Sequence, residues 1–118
     1  MTLEEFRIEM ESYRRNAESD ARSLKDSYLA LDRLHNLYEK LNSEERAMAN
    51  EVLQEWAVSD DEHVRFDALA IIDNFKITAA APALKALADR LVSSNAVGAS
   101  FELHKVDRIL RDLGYTHR

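Results

Sequence analysis

The residues of this chain best equipped for chemistry are its four histidines, His35, His63, His104 and His117, and the acidic run Asp60, Asp61, Glu62 that precedes His63. Two histidines aimed at one metal from a helix stand at i and i+4, and no pair here has that spacing. Successive residues at a helix start point in different directions, and carboxylates are favoured there by the helix dipole, so the acidic run reads as a cap. His35, beside Leu31, Leu34 and Tyr38, reads as a hydrogen-bonded, half-buried histidine. The absence of cysteine removes thiolate zinc sites, disulfides and cysteine nucleophiles together. The glycines form no phosphate loop, and no nucleophile occupies a strand-turn-helix setting. The expectation is a protein that is not an enzyme and holds no cofactor or metal.

Composition narrows the partners. The net charge of −6 opposes approach to a phosphate backbone, which disfavours nucleic acid. No apolar stretch approaches the roughly 18 residues that suggest a membrane span, and the glutamate-rich start is unlike a secretory signal; a cytoplasmic location is expected. At 118 residues one domain is the simplest organisation. Two glycines and one proline leave little material for hairpin turns, so an all-α fold is expected.

Six helices position these residues. Thr2 and Glu5 make a capping-box pattern, and Leu3, Phe6, Met10, Tyr13 and Ala17 recur at helical steps. The periodicity resumes through Leu24, Leu31, Leu34, Tyr38 and Leu41, but Asp20 and Ser27 interrupt it, so a break is expected between Asn16 and Asp20, with Ser19 or Asp20 as the next cap. Asn42 and Ser43 end that segment, and Ser43, followed by two glutamates, opens a third helix that carries Ala49, Val52, Leu53 and Trp56 on one face. Asp61 caps a fourth, with Val64, Ala68, Ile71, Ile72 and Phe75 converging. Thr78 and Pro82 open a fifth with Leu84, Leu87, Ala88 and Leu91. The sixth carries Leu103, Val106, Ile109, Leu110 and Leu113 and stops at Gly114.

The third and fourth helices, and the fifth and sixth, repeat a helix pair with a start-to-start spacing in the high thirties, a period of helical solenoids. Leu53 and Trp56 close a first helix, Asp61 stands at the turn, and Val64, Arg65, Ala68 and Ile72 open the second. In these residues the chain resembles the HEAT repeat family. The resemblance implies stacked antiparallel hairpins in a short α-solenoid: residues 1–42 as an amino-terminal hairpin or cap, 43–77 as a HEAT-like repeat and 78–118 as a weaker second one. Trp56, Asp61, Val64, Arg65 and Ala68 are then structural. Asp61 caps, Val64 seals the hairpin, Arg65 reaches carboxylates or carbonyls of an adjacent turn, and Ala68 allows close helix approach.

Going round the fourth helix, the arc opposite its apolar stripe holds His63, Phe66, Asp67, Ala70, Asp73 and Asn74. Phe66 either packs on a neighbouring helix or stands exposed as an aromatic anchor in an acidic rim. In the second case His63, Phe66, Asp67, Asp73 and Asn74 form a partner-binding face for a basic protein. Size and repeat type resemble a HEAT-like bacterial immunity protein that neutralises a basic toxin, such as a nuclease, by covering its active site. The alternatives are an adaptor that binds a protein without inhibiting it and, third, a nucleic-acid enzyme, disfavoured by the charge.

Overall fold

The computed structural model describes residues 1–115, so His117 lies outside them. Among these residues there are six α-helices and no strand: α1 (Leu3–Leu24), α2 (Leu29–Glu39), α3 (Ser43–Ala57), α4 (Glu62–Phe75), α5 (Ala81–Val92) and α6 (Ala99–Asp112), with a 3-10 turn over Thr78–Ala80. None of them is long and apolar enough to cross a membrane. The chain divides into two compact units, Met1–Val52 and Leu53–Arg118, with the boundary inside α3.

In the first unit, Thr2 Oγ1 accepts from the Glu5 N–H at 3.1 Å and Glu5 Oε1 accepts from the Thr2 N–H at 3.0 Å, closing the capping box. The break expected between Asn16 and Asp20 does not occur; α1 runs on to Leu24. The reason is Ala21, which continues the buried line of Phe6, Met10 and Ala17 past polar Asp20. The helix stops at Lys25, which takes a left-handed conformation with φ 54°. There the Asp26 N–H donates to the Ala21 carbonyl at 2.9 Å and the Lys25 N–H to that of Arg22 at 3.3 Å, the Schellman pattern usually built on glycine.

Ala17 and Ala21 of α1 meet Ala30 of α2, with Leu29 packed beside them, so the two helices approach closely. The Tyr13 hydroxyl donates to the Arg33 carbonyl at 3.2 Å, and the Arg33 side chain pairs with Asp20. The cap of α3 lies one residue earlier than Ser43: Asn42 Oδ1 accepts from the Glu45 N–H at 2.9 Å, and Glu45 accepts from the Asn42 N–H. The Tyr38 hydroxyl donates to Asn50 Oδ1 at 2.8 Å, with the Arg46 guanidinium over its ring.

In the second unit, Asp61 Oδ1 accepts from the His63 and Val64 N–H groups at 2.9 and 3.4 Å and caps α4. Lys76, at φ 52°, ends α4 as Lys25 ends α1, with the Ile77 N–H donating to the Ile72 carbonyl at 3.1 Å. Pro82 sits in the first turn of α5, and Gly114, at φ 94°, closes α6. Leu53, Trp56, Ala68, Ile72, Leu84, Leu87, Val106 and Leu110 are buried, while Val64 and Phe75 are half-buried. α5 packs closely on α6. α4 and α6 run in the same direction, because Arg65 meets Glu102 37 residues on and Asp73 meets Arg108 35 residues on.

Ala68 is fully enclosed, so added volume there has no room. Ala68→Leu should lower unfolding free energy by about 1–3 kcal/mol through overpacking. Urea titration followed by circular dichroism measures it, and an unchanged midpoint would mean that α4 is not packed at this position.

Candidate functional site

α4 buries Asp67, Ala68, Leu69, Ile71 and Ile72, which at 100 degrees per residue is an arc of roughly 200 degrees. That width splits the five residues expected to form one binding face. Asp67, only 4% exposed, belongs to the interior and is withdrawn from any surface role. A carboxylate sits inside because the helix is covered over more of its circumference than a single apolar stripe implies. His63 and Asn74 are exposed on the flank next to Asp67. Phe66 and Asp73 lie on the other flank, which turns toward α6.

Phe66 is 51% exposed, and α6 brings a second aromatic to it: Phe101, 80% exposed. Between them lies a cleft of about 290 Å³, walled by Glu62, Phe66 and Leu69 from α4 and by Phe101, Glu102 and Lys105 from α6. The Lys105 ammonium stands 4.3 Å from the centre of the Phe66 ring, a cation–π contact. Burial pushes the Lys105 pKa down and neighbouring Arg108 adds to this, against the pull of Asp73 and Glu102. Gly98 also lines the cleft; its φ of 84° is a left-handed conformation that turns the incoming chain into α6. Val97 beside it is fully exposed.

Two polar clusters hold these walls. Arg65 Nε donates to Glu102 Oε2 at 2.7 Å and its Nη2 to Oε1 at 2.9 Å, a two-pronged pair from α4 to α6. Its remaining nitrogen donates to the Ser59 and Asp60 carbonyls at 3.0 and 3.2 Å. Arg90 of α5 donates to the Val58 and Ser59 carbonyls at 3.0 and 3.1 Å. The chain after α3 therefore has its carbonyls satisfied by two guanidinium groups. Farther along, Asp73 accepts from Lys76 and Arg108, both at 3.2 Å, and Arg108 also reaches Asp112. Asp73 is thus a neutralised member of a four-charge network rather than an open acidic rim.

No family model, characterised protein or solved structure matches this chain. Among the described residues, no three of His, Asp and Glu gather as metal ligands; His63 and His104 are exposed and His35 is half-buried. Phe101, Glu102 and Lys105 belong to the cleft although the pattern of α4 does not point to them. The test that singles out Phe66, an aromatic opposite its own helix's apolar stripe, singles out Phe101 when applied to α6.

The Asp73 network carries a pH signature. Partial burial pushes the Asp73 pKa up, but the bonds from Arg108 and Lys76 outweigh it and hold the carboxyl below its usual value. A depressed folded pKa gives stability that is fully present above the unfolded value, about 4, and is lost as pH falls through the folded one. Asp73→Asn should therefore be less stable than the wild type at neutral pH, with the gap closing below about pH 4. Urea midpoints across that range check it, and a gap independent of pH would show that Asp73 contributes no charge interaction.

Proposed function

We propose that this chain is a protein-binding module and that the Phe66–Phe101 cleft is the centre of its contact face. The observation that carries this reading is the pair of large aromatic side chains left in solvent on two helices that Arg65 and Glu102 fasten together. Pre-positioned aromatics around a pocket are the residues that dominate binding energy when a partner covers them. The shared direction of α4 and α6, with paired residues 35 and 37 apart, supports reading α3–α4 and α5–α6 as successive HEAT-like units of a short solenoid.

Within this reading, the net charge of −6 favours a basic partner, whose approach it would accelerate. An immunity protein that covers the active site of a basic toxin domain is the inhibitory form of the proposal. An adaptor that holds its partner without inhibiting it is the other form. No step of either requires a cofactor or metal.

The test is a photo-reactive phenylalanine analogue placed at position 101 and, as a control, at exposed Tyr28 of the first unit, with both proteins expressed in the native cell. Illumination should yield one dominant protein adduct from position 101 and little from position 28. Equal yields, or none from 101, would remove the cleft from the interface. The captured partner, expressed alone, then separates the two forms: growth arrest relieved by this chain identifies the inhibitor, and harmless expression the adaptor.

A further inference from the structure

We infer that the cleft receives a partner segment in which one large apolar side chain stands beside a lysine or arginine, the basic residue lying at the Glu62 end. This rests on the protein-binding reading above and adds the chemistry of what is bound. The cleft of about 290 Å³ is at the small end of ligand pockets, which run roughly 300–1,000 Å³, and has room for one large side chain. Its walls supply apolar contact from Phe66, Leu69 and Phe101.

The neighbouring space decides what lies next to that anchor. A second cleft, of about 310 Å³, shares Glu62 and Glu102 with the first and is bounded by Asp60, Arg65, Arg90 and Ser94. Both of its arginines are engaged inward, Arg65 on Glu102 and two carbonyls, Arg90 on the Val58 and Ser59 carbonyls. The carboxylates of Glu62 and Asp60 face outward there, beside an Arg90 side chain that is itself partly exposed. Glu62 is exposed and makes no salt bridge among the described residues, and Asp60, fully exposed, meets Arg90 only at 3.6 Å. A cation placed there gains Glu62 without displacing an internal bond, and Asp60 as a partner shared with Arg90.

The opposite end selects against a cation, because Lys105 stands over Phe66 with Arg108 beyond it. Glu62 and Gly98 mark the amino-terminal end of the cleft, and Leu69 and Lys105 lie seven residues farther along their helices, roughly 10 Å away. The charge gradient therefore gives the bound segment a direction. In an extended segment, roughly 10 Å between anchor and basic residue corresponds to about three residues.

Selection of a random dodecapeptide phage library on the immobilised full-length protein tests this. The expected peptides share an aromatic or large aliphatic residue with Lys or Arg no more than four positions away. A synthetic peptide so obtained should lose about tenfold or more in affinity for the Phe101→Ala protein and several-fold for Glu62→Gln, and only the Glu62 effect should fade near 1 M salt. Peptides that depend on Phe101 but carry no basic bias and ignore Glu62→Gln would overturn this inference while leaving the protein-binding cleft in place. Peptides indifferent to both substitutions, or no enrichment, would count against both.

Discussion

The guanidinium of Arg65 is the constraint on which the second unit depends. Its planar fork meets two oxygens of Glu102 on α6 and two carbonyls of the turn before α4, so one side chain fixes a helix to a helix and both to a loop. An ammonium could not do the same, because it lacks the flat, divergent donors that match a carboxylate edge. The pair is largely covered, its two side chains being 12% and 16% exposed. Removing one partner would leave the other charge poorly solvated. The cleft follows from that arrangement, since Phe66 is the next residue after Arg65 and Phe101 the one before Glu102.

Charge in this protein is more internally engaged than its total implies. Asp67 is inside, Asp73 is balanced by Lys76 and Arg108, and Glu102 by Arg65. The acidic character that remains at the cleft rests on Glu62, with Asp60 beside Arg90 in the adjoining space. A binding face made this way has an apolar centre with local polarity at its ends, which favours a partner of defined sequence over a merely basic one.

Much of the helical frame was legible in the sequence, because apolar residues at three- and four-residue steps have one physical outcome in a chain so poor in glycine and proline. Asp61 and Pro82 were equally legible, as each suits a single place in a helix. Lys25 and Lys76 were not: both occupy left-handed helix ends where glycine is expected, and nothing in a lysine announces that role. The end of the first helix is hard to read because Asp20 interrupts the apolar pattern while Ala21, a small residue in a close crossing, carries it on. The candidate face was half legible. An orphan aromatic on α4 could be found from its angle alone, but which flank α6 covers depends on a pairing 37 residues away, and that decides between exposed Phe66 and buried Asp67.

The claim that Arg65 and Glu102 act as one fastening is tested most directly by a double-mutant cycle of Arg65→Ala, Glu102→Ala and the pair, with unfolding free energies from urea titration. Hydrogen bonds between charged groups predict a coupling of about 1.5–3 kcal/mol, so the double variant should lose much less than the sum of the two single losses. Additive losses, to within about 0.5 kcal/mol, would contradict the account, because Arg65 and Glu102 would then contribute no coupling between the two helices.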